Sequence, residues 1–155
     1  MSTRIIVADD HPMVQTALRT ALKILLPEID LIACNTLEAV LRTIALEPAG
    51  IDLVLLDLSM PDAQGFSGLF LLQAQYPTIP VAIISAQESA MTIRRAIAYG
   101  ASGFLPKSLD LSVMSKAVAS ILAGDVWTPP DILSVQEVAP DEAELARART
   151  IIAAF

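Results

Sequence analysis

Five polar residues of this 155-residue chain have the types that phosphate and metal chemistry requires, and each ends or closely follows a short apolar run. They are Asp9, Asp10, Asp57, Ser85 and Lys107. Carboxylates brought close together repel each other, and a hard divalent cation between them removes that repulsion. Magnesium suits such a group because it takes carboxylate and carbonyl oxygens and is completed by phosphate oxygens.

The apolar runs before these residues alternate with helical patterns. Runs typical of buried strands occupy Arg4–Ala8, Leu31–Cys34, Leu53–Asp57, Val81–Ser85 and Gly103–Leu105. Helical patterns follow them, one behind Pro12, one from Asn35 and others over Gly68–Gln75, Ser89–Tyr99 and Leu111–Ala123. Strands joined by helical crossovers run parallel, so the pattern predicts a doubly wound (βα)5 domain over residues 1–124. Ligands of such sheets bind beyond the carboxyl ends of the strands, which brings the five polar residues together.

Local signals set some of the helix ends. Asn35 with Glu38 forms a capping box, and Asp110 is the predicted cap of the last helix of the domain. Gly100 stands where a left-handed residue ends a helix.

Composition restricts the class of protein. With 54% hydrophobic and 17% charged residues and a mean hydropathy of +0.60, most of the chain must fold around a core. A net charge of −7 disfavours nucleic acid as a ligand of this chain. The single cysteine, Cys34, excludes an intrachain disulfide and a cysteine-built metal site. Early acidic residues argue against a secretory signal, and prolines and glutamines interrupt the uncharged stretch 63–87, so we expect a cytoplasmic protein without a membrane span.

Each polar residue also has a purely structural interpretation. Asp9 or Asp10 is a typical helix cap, Ser85 alone is a turn residue, and Lys107 alone is a solvated loop lysine. Asp57 is different because it directly follows four apolar residues, where an unpaired carboxylate costs desolvation energy and no helix needs its cap.

Four strings, in this order, resemble the receiver domains of two-component response regulators, in particular those of LuxR/NarL/FixJ-type transcriptional regulators. They are IIVADDHPMV, LVLLDLSMPDAQGF, VAIISA and GASGFLPKS, and the similarity covers about Arg4 to Ala123. The resemblance implies a flavodoxin-like receiver whose five-stranded parallel sheet has the order 2-1-3-4-5.

The resemblance also assigns roles around the phosphate. Asp57 would accept a phosphoryl group from a sensor histidine kinase. Asp10 and Asp57, with the backbone carbonyl of Ser59, would ligate Mg²⁺, while Asp9 would act mainly through a bound water. Positioning and charge neutralisation are most of what such a transfer needs.

Beyond the metal, Lys107 would pair with the phosphoryl oxygens and Ser85 would donate its hydroxyl to one of them. The switch aromatic of the family falls on Phe104, which would turn inward when Ser85 moves toward the phosphoryl group. The affected surface is formed by the fourth helix, fifth strand and fifth helix. Plain core packing is the alternative for Phe104. The family uses no base at the position of His11, so no catalytic role is expected there.

The composition changes after residue 124, where a stretch with several prolines precedes a segment rich in alanine and arginine. We expect a connector over residues 125–140 and a linker helix over residues 141–155, followed in the parent protein by a DNA-binding output domain. DNA would then be bound only through that output domain. The apolar stripe of the last helix would pair with a second copy of the chain or pack on its own receiver.

Two other functions compete with a phosphorylated receiver. A phosphatase with a nucleophilic aspartate would need a second acid two residues later, and that position is Ser59. Enzymatic turnover of external substrates is therefore not expected, beyond self-phosphorylation and autodephosphorylation. The other alternative is a receiver that binds partners without phosphate.

Overall fold

The computed structural model describes residues 3–130, in which a parallel sheet lies between two layers of helices. The strands are β1 (Arg4–Ala8), β2 (Asp30–Cys34), β3 (Leu53–Asp57), β4 (Val81–Ser85) and β5 (Gly103–Pro106). All neighbours are parallel and the order is β2-β1-β3-β4-β5. The doubly wound (βα)5 fold and its strand order are confirmed.

Five α-helices connect the strands or follow them. They are α1 (Pro12–Leu25), α2 (Leu37–Leu46), α3 (Ser67–Gln75), α4 (Ala90–Ala98) and α5 (Leu111–Leu122), with a 3₁₀ turn at Pro48–Gly50. No helix within the described range 3–130 is long and apolar enough to cross a membrane.

The two faces of the sheet form separate apolar clusters. One cluster joins the sheet to α1 and α5 and contains residues such as Ile5 and Leu55, whereas the other joins it to α2, α3 and α4 and contains their neighbours Ile6 and Leu56. Successive side chains of a strand point to opposite faces, so a strand covered on both sides must be apolar at every position. This explains why the strands read as continuous apolar runs.

The start of α2 differs from the predicted capping box. Thr36, and not Asn35, is the N-cap, and its side chain accepts a hydrogen bond from the backbone nitrogen of Ala39. Two further amides, those of Leu37 and Glu38, donate to the Asp62 carboxylate at 2.8 and 3.0 Å. The sequence near the helix could not reveal this, because the second cap comes from a distant loop. Asp110 is the N-cap residue of α5, but its side chain makes no capping hydrogen bond.

That distant loop is a short hairpin which the sequence did not predict. Ser59–Met60 pairs antiparallel with Ala63–Gln64 directly after the end of β3. Strands of two residues are too short to show an alternating pattern. The turn of the hairpin contains Asp62, so the hairpin is tied to the start of α2.

Part of the expected connector lies against the sheet. The carbonyl of Trp127 accepts from the amide of Phe104 at 3.0 Å, and the amide of Trp127 donates to the carbonyl of Ser102 at 3.2 Å. Trp127 thereby forms a parallel bridge beside β5 and packs against the α1–α5 cluster. The expected linker helix over residues 141–155 lies outside the described residues.

Two glycines with a left-handed backbone conformation should differ in how much an alanine substitution destabilises the protein. Gly100 and Gly124 have φ of +97° and +101°, and a Cβ at Gly100 would lie 2.6 Å from Nε2 of Gln73, whereas one at Gly124 would meet nothing within 4 Å. The side-chain amide of Gln73 donates to the carbonyl of Tyr99 at 2.8 Å. Gly124→Ala should lower the free energy of unfolding by about 1 kcal/mol, the cost of the backbone conformation.

Gly100→Ala should cost about 1 kcal/mol more, because the Gln73 hydrogen bond is also displaced. Urea unfolding of both variants measures the difference. Equal losses would show that the Gln73 contact adds nothing.

Candidate functional site

Strand register places the predicted polar residues at one end of the sheet. Asp57 ends β3 and pairs with Ile84 of β4. Ser85 follows Ile84, so Asp57 and Ser85 lie one position apart in register on neighbouring strands. Asp9 and Asp10 directly follow β1, which lies on the other side of β3. Lys107 directly follows β5. The structure therefore brings all five predicted residues to the carboxyl ends of the strands.

Two of the three carboxylates are buried. Asp9 is 0% exposed and Asp57 is 2% exposed, while the side chain of Asp10 keeps 40% of its surface in solvent. Burial removes the water that would otherwise solvate the negative charges. The two buried carboxylates therefore depend on cationic and hydrogen-bonding groups of the protein.

Lys107 supplies the positive charge. Its Nζ lies 2.9 Å from Oδ2 of Asp9 and 3.1 Å from Oδ2 of Asp57. Burial disfavours the ammonium, but the contacts with Asp9 and Asp57 outweigh that cost and the pKa of Lys107 is raised above its ordinary value. Lys107 therefore stays charged and joins the ends of three strands, although one ammonium cannot balance three carboxylates.

Ser59 completes the surroundings of Asp57. Its backbone nitrogen donates to Oδ1 of Asp57 at 3.1 Å and its hydroxyl donates to Oδ2 at 2.9 Å. These bonds orient the carboxylate from the first residue of the hairpin. The predicted contribution of Ser59 was its carbonyl, and that role stays a prediction.

Ser85 is linked to the lysine through the backbone. Its carbonyl accepts from the amide of Lys107 at 2.8 Å, and its hydroxyl accepts from the amide of Gln87 at 3.0 Å. The hydroxyl therefore keeps its own hydrogen for a further acceptor.

His11 enters the same pocket, which the sequence did not predict. Its Nδ1 lies 2.7 Å from Oδ1 of Asp9, 3.2 Å from Oδ1 of Asp10 and 3.8 Å from Oδ2 of Asp57. The Nζ of Lys107 is 3.2 Å from the same nitrogen. The position of His11 beside the acidic pair was the only available signal, and it does not fix where the ring points.

The pocket has the donors that a divalent cation requires. One ligand atom from each of Asp9, Asp10, His11 and Asp57 lies within 4.8 Å of the others. Three of these atoms are carboxylate oxygens, which are preferred ligands of hard cations, and their charge exceeds that of the neighbouring ammonium. The site therefore fits a bound divalent metal ion.

Phe104, the predicted switch aromatic, is fully buried. It belongs to the apolar cluster on the α2–α3–α4 face, with 0% of its surface exposed. Its role as a switch stays a prediction.

Comparisons with known proteins agree with this fold. Residues 5–119 match the family model described as the response regulator receiver domain. The glycerol metabolism activator of Pseudomonas putida is 38% identical over 134 residues, which cover 86% of this chain and 60% of that protein. The transcriptional regulatory protein LnrK of Bacillus subtilis is 33% identical over 131 residues, 83% of this chain and 58% of that protein. This chain thus spans about three fifths of the length of these relatives.

A solved structure shows the same similarity in three dimensions. The crystal structure of a LuxR family DNA-binding response regulator from Silicibacter pomeroyi superposes with a TM-score of 0.71 at 28% identity, and the match covers 84% of this chain and 99% of that one. The family match includes β1, β3, β4 and β5, whose ends carry the pocket. The chain belongs to the family of response regulator receiver domains.

Proposed function

We propose that Asp57 is the phosphoryl acceptor of this receiver and that a histidine kinase is its donor. The observation that supports this most directly is the ion pair between Asp57 and Lys107. The buried carboxylate of Asp57 lies 3.1 Å from the Lys107 ammonium and shares a pocket with two further carboxylates that suit a cation. A carboxylate so placed is oriented, dehydrated and beside groups that bind phosphate.

The transfer needs few groups. An oxygen of Asp57 attacks the phosphorus of a phosphohistidine, an O–P bond forms as the N–P bond breaks, and the departing imidazole takes a proton from solvent. Lys107 pairs with a phosphoryl oxygen, and the Ser85 hydroxyl, whose hydrogen is available, donates to another.

Mg²⁺ is the cation that we assign to the pocket. Asp10 and Asp57 with the carbonyl of Ser59 would hold it, and Asp9 would act through a water. When bound, it offsets the charge of the carboxylates and of the incoming phosphoryl group.

The output of the signal is the next part of the proposal. Because a longer relative is named a transcriptional regulatory protein and a similar solved structure is named a DNA-binding response regulator, we propose that the parent protein controls transcription in the cytoplasm through a DNA-binding domain after this receiver. In this proposal the surface formed by α4, β5 and α5 carries the signal, a second copy of the chain is a candidate partner, and no external substrate is turned over.

One alternative function is a receiver that binds partners independently of phosphate. In that function Phe104, which is fully buried in the apolar cluster, would serve only in core packing. The two functions differ in whether Asp57 is modified at all.

The modification itself is the first prediction. The wild-type chain, incubated with acetyl phosphate and Mg²⁺, should gain one phosphoryl group in its intact mass, and Asp57→Asn should gain none because the amide is not a nucleophile. Asp52→Asn is the matched control, since Asp52 precedes the same strand at its opposite end and its carboxylate accepts only a surface contact from the amide of Arg4 among the described hydrogen bonds.

The adduct should form in the control and disappear when EDTA removes the cation. An adduct on Asp57→Asn would place the acceptor elsewhere. No adduct on the wild type under any of these conditions would favour the phosphate-independent receiver.

Metal binding predicts a second result. Mg²⁺ at about 100 times its Kd should add about 2.7 kcal/mol to the free energy of unfolding. Asp10→Asn should lose most of this gain because a carboxylate ligand is missing, and Asp10 is exposed enough for the substitution to be tolerated. Asp52→Asn should retain the full gain.

Thermal unfolding with and without Mg²⁺ measures these gains in each variant. Equal gains in Asp10→Asn and Asp52→Asn would show that the ion binds outside the pocket.

A further inference from the structure

We infer that His11 is a nitrogen ligand of the cation in this pocket, so that the site binds a divalent transition metal such as Zn²⁺ more tightly than Mg²⁺. This inference rests on the proposed function in one respect, which is that the pocket binds a cation. It concerns which ion the pocket prefers and which residue causes that preference.

The position of the imidazole supports a ligand role. Its Nδ1 lies 2.7, 3.2 and 3.8 Å from one oxygen each of Asp9, Asp10 and Asp57. With metal–ligand bonds of about 2.1 Å, ligands of one ion lie about 3 to 4 Å apart. The distances to Asp10 and Asp57 fall in this range, and the shorter distance to Asp9 would have to lengthen by a few tenths of an ångström for both atoms to bind one ion.

The contacts of Nδ1 cannot all be hydrogen bonds. If Nδ1 carries a hydrogen, it donates to Asp9 and then presents a second donor to the ammonium of Lys107, which is 3.2 Å away. If Nδ1 carries none, it accepts from Lys107 and its lone pair lies 2.7 Å from a carboxylate oxygen of Asp9. Either tautomer leaves one repulsive contact, and in the second a cation between nitrogen and oxygen turns repulsion into two bonds.

The buried carboxylate of Asp9 also lies beside the imidazole. Oδ2 of Asp9 is inaccessible to solvent, and its partner among the described residues is the ammonium of Lys107, 2.9 Å away. The other oxygen of Asp9 accepts from the backbone nitrogen of His11 at 2.8 Å. Asp9 thus holds the imidazole at the mouth of the pocket and keeps lone pairs for an ion.

The donor set decides which ion is preferred. Mg²⁺ favours oxygen ligands alone, whereas imidazole nitrogen suits zinc and other late divalent metals, whose affinity for such sites is higher. The chain has one histidine and one cysteine. The cysteine, Cys34, is buried, and its burial raises the pKa of its thiol, so it does not compete as a thiolate. Of these two residues, His11 is therefore the one that would favour Zn²⁺ over Mg²⁺.

Calorimetric titration of the metal-free chain at one fixed pH tests the inference. The probes are Zn²⁺ and Mg²⁺, and the variant is His11→Asn, which keeps a residue that suits the N-cap of α1. Wild type should bind Zn²⁺ about 100-fold more tightly than Mg²⁺. The variant should lose about tenfold or more in Zn²⁺ affinity and change little in Mg²⁺ affinity.

A second measurement excludes a merely structural effect of the substitution. Because His11 is the only histidine, ¹⁵N-histidine labelling gives one pair of ring nitrogen signals. Zn²⁺ should shift the Nδ1 signal of wild type at the same concentrations that saturate the titration, and Mg²⁺ should shift it much less.

The outcomes separate this inference from the proposed function. Unchanged Zn²⁺ affinity in His11→Asn, or an Nδ1 signal that Zn²⁺ does not shift, would overturn the role of His11 and leave the Mg²⁺ site intact. Failure of both ions to bind wild type would overturn the cation site itself.

Discussion

Repulsion among three carboxylates at one end of a parallel sheet is the constraint on which this structure depends. Asp9 and Asp57 are buried there because the strands before them are apolar on both faces. The backbone alone cannot separate them, since strand register fixes the ends of β1 and β3 side by side. Lys107 compensates in part, with contacts of 2.9 and 3.1 Å, and the remaining negative charge is what makes the pocket receptive to a cation.

The groups that hold the pocket also connect it to the surrounding elements. Ser59 joins Asp57 to the hairpin, and Asp62 in the turn of that hairpin binds the start of α2. On the other side, the amide of Lys107 bonds to the carbonyl of Ser85 and places the ends of β4 and β5 together. A change of charge at Asp57 therefore acts on groups that are bonded to helix α2 and to strand β5, and not on isolated side chains.

The fold could be predicted well because it depends on patterns of apolar residues. Five apolar runs predict the five strands, and the largest difference at a strand end is one residue, as at Asp30 and Pro106. Contacts between distant segments were missed. Examples are the hairpin after β3, the cap that Asp62 supplies to α2 and the bridge of Trp127, since none of them produces periodicity in the sequence. That the five polar residues lie together could be predicted because strand ends converge, whereas the direction of the His11 ring depends on a side-chain torsion that no spacing reveals.

The central claim is that the buried carboxylate of Asp57 takes the phosphoryl group. Peptide mapping after borohydride reduction tests it most directly, because borohydride converts an acyl phosphate to an alcohol and leaves free carboxylates intact. After treatment of the wild-type chain with acetyl phosphate and Mg²⁺, the account predicts homoserine at position 57 and unchanged aspartate at positions 9 and 10. Homoserine at position 9 or 10, with position 57 unchanged, would contradict it.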